Sequence, residues 1–230
     1  MRFLLLIAGM AGVSGMAFGQ WVAFTGKESN APDEFAFVAL SDLPNGTVIF
    51  FTNYDFDNGT GAFNTSTSEG TLQFTVAGGT ITKGTVVQIQ QDSPNTAGPY
   101  TVTNGGSSTA IHVSGQPVWA AVAADPHYAF AASNPVSPLN TVAEIYAYMD
   151  TDLDVAVGSS KDPTGLYPNA VMVDFSVIQP VAFDFTGNRV TATLADLKNP
   201  ALFTTGSTFT LDLTSFSGSL PVELTSFSVE

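Results

Sequence analysis

Apolar and polar residues alternate along most of this chain with a period of two, the pattern of a strand with one buried and one wet face. Residues 71–76 put Leu72, Phe74 and Val76 on one side and Thr71, Gln73 and Thr75 on the other. Phe209, Leu211 and Leu213 alternate with Thr210, Asp212 and Thr214; Val181, Phe183 and Phe185 alternate with Ala182 and Asp184. Two runs, Glu34 to Leu40 and Val48 to Phe51, are apolar on both faces and suit central strands covered from both sides. Further strands are predicted at 86–90, 110–113, 143–149, 170–175, 190–194 and 222–227. Helical periodicity is confined to Leu194–Lys198, stopped before Pro200. An Ala-rich stretch at 118–132 is ambiguous and has room for a helical turn near 120–124.

Turn chemistry separates the strands. Pro44-Asn45-Gly46 combines a preset φ with a residue for which positive φ costs little. Asn58-Gly59, Gly78-Gly79, Asn104-Gly105-Gly106 and Thr186-Gly187-Asn188 repeat that logic. Close spacing of strands and turns predicts an all-β chain: an antiparallel β-sandwich of immunoglobulin-like type, with at most one or two short helices. One domain is expected over residues 20–219, with the Ser/Gly/Pro-rich stretch 93–116 as a long loop, followed by a C-terminal strand or tail at 220–230.

The first residues read as an address. Arg2 precedes the apolar run Phe3 to Ala8, and small and apolar residues continue to Phe18. The run is shorter than the roughly 20 residues a spanning helix needs. With Ala17 and Gly19 at the exit, residues 1–19 fit a secretory signal peptide cleaved before Gln20. The alternative is a buried N-terminal strand or helix of the fold itself. No later run is long enough to span a membrane, so the mature protein is expected to be secreted, in the extracellular space or on the cell surface.

Composition narrows the function. Of 230 residues, 44% are hydrophobic and 18 are Phe, enough for a sizeable core. Twenty acidic residues against 6 basic ones give a net charge of −14. That disfavours nucleic acid and anionic lipid as partners, since both are held by basic surfaces. The chain has no cysteine, which excludes disulfides, Cys-ligated zinc, iron–sulfur centres and thiol catalysis.

Candidate chemistry is sparse. Asp150, Asp152 and Asp154 would share one face of a strand at about 6.5–7 Å spacing, so they are candidate calcium ligands or else a solvated acidic turn. Asn53, Asp55, Asp57 and Asn58 form a second oxygen-rich group, with an Asx-rich turn as the alternative. His112 and His127 are the only imidazoles, and no G-x-S-x-G elbow accompanies them. Twenty carboxylates make chance pairs unavoidable, so a glycosidase-type pair has no specific signal here. Trp21, Trp119, Tyr54, Tyr146 and Tyr148 can stack on sugars, though packing is the favoured reading.

Three segments carry a resemblance: Val22-Ala23-Phe24-Thr25-Gly26, then Asp33 to Leu40 (DEFAFVAL), then Gly46 to Thr52 (GTVIFFT). Together they resemble the opening of an uncharacterised class of bacterial extracellular modules related to the lamin-tail β-sandwich. The likeness continues through Glu69-Gly70-Thr71-Leu72 and Gly84-Thr85-Val86-Val87, with an echo at Leu197 to Thr204. In such modules an acidic residue precedes an apolar strand, a place that Glu34-Phe35 fills; the usual FTD reads Phe51-Thr52-Asn53 here. Leu220 to Phe227 (LPVELTSF) is similar to a segment of Bacteroidetes-type secreted proteins that leads into a type IX sorting region. The resemblance implies a secreted, non-catalytic module that works by adhesion or assembly, with self-association or a surface polymer or protein as partner. Two alternatives stay open: a filament or sheath subunit that uses its C-terminal strand, and a secreted hydrolase.

Overall fold

The computed structural model describes residues 20–30, 32–65, 69–92, 98–115, 125–151, 161–175, 180–208, 210–218 and 220, with the side chains of 114 and 115 left aside. The leader, Trp119, Asp152, Asp154, the helical turn expected near 120–124 and the strand expected at 222–227 lie outside them. Fourteen strands follow in order: β1 (Val22–Glu28), β2 (Glu34–Ala39), β3 (Val48–Thr52), β4 (Phe56–Asp57), β5 (Ala62–Phe63), β6 (Gly70–Thr75), β7 (Val86–Gln91), β8 (Tyr100–Thr103), β9 (Thr109–Gly115), β10 (His127–Ala132), β11 (Val142–Asp150), β12 (Val171–Asp174), β13 (Ala182–Phe185) and β14 (Phe203–Gly206). One short helix, α1 (Leu194–Leu197), precedes β14.

Two six-stranded sheets face each other, the first ordered β14-β13-β1-β2-β7-β8 and the second β12-β11-β10-β3-β6-β9. The chain is an all-β sandwich, as the alternation predicts. Phe24, Phe35 and Phe37 project from the first sheet onto Phe51 of the second, with ring centroids 6.1, 4.9 and 5.2 Å away, and Phe37 also meets Phe74 at 5.5 Å. All five rings are buried. Each contributes about 1.5–3 kcal/mol relative to leaving it in water.

The outer face of the second sheet is also buried over β3, β10 and β11. Phe50, Tyr128, Phe130 and Tyr148 point outward, and the β4–β5 hairpin lays Phe56 and Phe63 over them. Phe63 sits 5.0 Å from Tyr128 and 4.8 Å from Phe130, and Tyr128 stacks on Tyr148 at 4.5 Å.

Four expectations are corrected. The stretch 93–116, read as a long loop, contains β8 as well as β9, whose core at 110–113 the alternation predicts. Its Asn104-Gly105-Gly106 corner, with φ of 62° at Asn104 and 65° at Gly106, separates two short strands and masks them in the composition. Residues 190–194 form no strand; Thr193 caps α1 through a reciprocal box with Asp196. The β11–β12 pair is parallel, whereas the other strand pairs among the described residues are antiparallel. Finally, among the described residues, 210–213 of the expected alternating strand join no ladder.

Residues 210–218 instead form a strap held by side chains. Arg189 Nε lies 3.1 Å from Asp212 Oδ2, and Arg189 donates to the Thr214 carbonyl at 3.1 Å. The Arg189 guanidinium lies 4.8 Å from the centre of the Phe216 ring. The Asp212 N–H donates to Asp184 Oδ2 at 3.1 Å, and the Phe216 N–H donates to the Gly84 carbonyl at 2.8 Å. A Cβ on Gly84, whose φ is +86°, would stand 2.1 Å from the Phe216 carbonyl oxygen, so the strap passes where only glycine leaves room. The strap buries Leu211 and Phe216 and covers Asp184, the residue the alternation left wet.

Candidate functional site

Of Asp150, Asp152 and Asp154, only Asp150 is among the described residues. Asp150 closes β11, is buried, and stands opposite Asp174 of β12; its carbonyl accepts the Phe175 N–H. Among the described residues no group of three or more His, Asp or Glu side chains is placed to hold a metal ion. The Asn53–Asn58 group disperses. Asp55 pairs with Lys161 at 3.0 Å, Asp57 accepts the Gly59 N–H at 2.8 Å within the hairpin turn, and the Asn58 amide donates to the Asp162 carbonyl. This is the Asx-rich turn.

Asn53 belongs to a different structure, a buried polar centre at one end of the sandwich. Its side-chain oxygen accepts the Gly70 N–H at 3.0 Å, and its amide donates to Glu69 and, at 3.3 Å, to Asp125 Oδ2. From the first sheet, Lys27 reaches across the interior and donates to the Asp125 carbonyl at 3.1 Å and to Thr151 Oγ1 at 3.4 Å. Thr151 donates to the same carbonyl at 2.6 Å. Complete burial lowers the Lys27 ammonium to about 8, against the pull of Asp125 and Asp33. Burial also raises Glu69 to about 7, helped by Asp125 and Asp55. His127 is held neutral, well below its ordinary value, by burial and then by Lys27. The centre ties the two sheets together and holds protons near neutrality.

The two histidines do not form one site. His112 lies on β9 and His127 on β10, with β3 and β6 between them in the sheet. Three strand spacings separate those strands by about 14 Å. The aromatics serve packing: Trp21 stacks on Tyr146 at 5.3 Å, and Tyr54, Tyr146 and Tyr148 are buried.

A feature the sequence hid is the side where both sheets end, at β8 and β9. Between these edges lies a cavity of about 450 Å³, lined by Pro99, Tyr100, Ala110, Ile111 and His112 among others. Seven residues long, β9 reads Thr-Ala-Ile-His-Val-Ser-Gly, without carboxylate, lysine, arginine or proline. Ile111 is 52% exposed. Among the described residues β9 pairs only with β6, so its other side is a sheet edge. Natural edges are usually blunted by charge, proline or brevity, and this one has none of these. Reading 93–116 as a loop concealed the edge, although Ala110–Val113 carried the strand signal.

Among the described residues no helix is long and apolar enough to cross a membrane. No protein-family model, curated protein or solved structure matches the chain.

Proposed function

We propose that this chain is an exported, non-catalytic β-sandwich module that acts outside the cell by adhesion or assembly. The observation that carries this reading is the uncharged β9 edge, with Ile111 exposed beside the β8–β9 cavity. On a molecule of net charge −14, an uncharged edge is where another chain can approach without meeting like charge. The signal-peptide pattern of residues 1–19 and the likeness to lamin-tail-type modules support the extracellular setting.

A second, narrower reading follows from the same edge: the chain is a filament or sheath subunit whose residues 221–230 add to β9 of a neighbouring copy. Extended, ten residues reach about 33–36 Å, beyond the roughly 24 Å of a seven-residue strand. The apolar run Val222 to Phe227 falls within that segment. Main-chain hydrogen bonds would supply affinity, and the β8–β9 cavity would receive alternate side chains.

Sedimentation and electron microscopy of the chain from Gln20, with and without residues 221–230, test both readings. Leu220 is kept because it is buried in the core. A truncated chain that stays folded and monomeric while the full chain polymerises supports strand donation. Polymer in both supports assembly without donation. A folded chain that neither assembles nor coats cells contradicts the proposal, as does hydrolysis of glycosides or esters that is lost on changing one carboxylate.

A further inference from the structure

On the outer face of the first sheet, the strap leaves one end of β1, β2 and β7 uncovered. The row of side chains facing outward there is set by a bulge. Phe24 points into the core, and strict alternation would send Glu28 the same way. The register shifts between Phe24 and Gly26, so Lys27 turns inward and Glu28 outward. Glu28 then stands directly opposite Glu34, and Glu34 opposite Gln90. Adjacent strands place these side chains about 4.8 Å apart. Gln88 lies on the same face, two residues along β7.

The row forms the floor of a groove of about 370 Å³, walled by Asn30 and Pro32 and by Thr208 and Thr210. The Asn30 amide donates to the Ser207 carbonyl and joins the two walls. The floor is fixed in place. Glu28 and Glu34 are 5% and 8% exposed. The Asn30 N–H donates to Glu28 Oε1 at 2.8 Å, and the Gln90 amide donates to Glu34 Oε2 at 2.9 Å.

We infer that this groove binds a neutral saccharide. The lining offers carboxylate acceptors, three carboxamides that both donate and accept, and two hydroxyls, with no lysine or arginine among the described lining residues. An anion finds no counter-charge there. A cation would use the carboxylates but nothing of the carboxamide N–H donors. A sugar hydroxyl donates and accepts at once, and it can give its proton to a carboxylate in a charge-assisted bond while taking one from a neighbouring amide. The volume is at the small end of the roughly 300–1,000 Å³ usual for small-molecule pockets, which suits one or two rings and far exceeds a bare ion. No aromatic residue is part of the described lining, so recognition rests on hydrogen bonds. Such a site is weak singly and gains strength from many copies on one surface.

The test is a glycan array carrying neutral hexose, pentose and N-acetylhexosamine oligomers beside uronic acid oligomers, with oligolysine and calcium chloride titrated separately by calorimetry. The expected result is binding to a neutral oligomer, unchanged by added salt. Glu34→Gln and Gln88→Ala should each weaken it about tenfold or more, the loss of one well-formed hydrogen bond to a charged or amide partner. Melting curves confirm that both variants remain folded, and Glu34→Gln preserves shape. Failure to bind any neutral oligomer, binding that both folded variants retain, or binding only of oligolysine, calcium or uronic acids overturns the inference. Because no described residue of the groove lies on β9 or lines the β8–β9 cavity, the same variants leave assembly unchanged, which separates this inference from the proposed function.

Discussion

The two outer faces of the sandwich are covered in opposite ways. Over the second sheet, Phe56 and Phe63 of the β4–β5 hairpin seal a cluster of Phe and Tyr rings. Over the first, a strap without ladder hydrogen bonds is pinned by Arg189 and glycine contacts, and it stops short of the Glu28–Glu34–Gln90 row. One cover is apolar and closes over β3, β10 and β11; the other is polar and partial. The hairpin side supplies stability, and the strap side leaves the groove that we infer binds a saccharide.

Breaking each cover should show it. Phe63→Ala empties a site between Tyr128 and Phe130, and truncating a buried Phe costs about 3–5 kcal/mol, read as a lower urea midpoint. Arg189→Ala leaves Asp184 buried without its guanidinium neighbour, 3.8 Å away, and frees Asp212. Because Asp212 is 48% exposed, the expected loss is about 2 kcal/mol, below the 3–5 of a fully buried pair. Limited proteolysis should then cut first in the strap, at 210–218. Gly84→Ala forces a methyl onto the Phe216 carbonyl in a left-handed backbone and should cost about 1–3 kcal/mol with the same proteolytic signature.

The smallest effect is a pH dependence in the polar centre. Glu69 is raised from 4.5 to about 7, so the folded state holds its proton more tightly than the unfolded chain does. Stability from this group is therefore present below pH 4.5 and declines as pH rises to about 7. Asp184 adds a decline of the same sign between 3.8 and about 6. Glu69→Gln should remove only the Glu69 part, so wild type and variant melting temperatures diverge across that window. Parallel curves would mean that Glu69 titrates normally. Lys27 has the opposite sign: it is lowered from 10.5 to about 8, so its contribution rises with pH between those values, and Lys27→Met should flatten that rise.

The sheet architecture was legible in the sequence because alternation at 71–76 and the doubly apolar runs at 34–40 and 48–51 follow directly from the pleat. What stayed hidden depends on partners distant in the chain. The alternation correctly sends Leu211 inward, but the hydrogen bonds of residues 212–214 go to Asp184, Arg189 and Asn104, so the pattern alone mistakes a strap for a strand. The Glu28–Glu34 row depends on a one-residue bulge after Phe24, which alternation cannot register. The strand at 110–113 was legible, but a Gly-rich corner concealed β8 and, with it, the place of β9 at the edge that carries the functional reading.

Residue-resolved amide hydrogen exchange on Thr109–Gly115, comparing dilute with assembled protein, tests that reading most directly. The account predicts that the outward amides of β9 exchange fast in the dilute chain and become protected on assembly, while those facing β6 are protected in both. Assembly with no change in β9 exchange would contradict it.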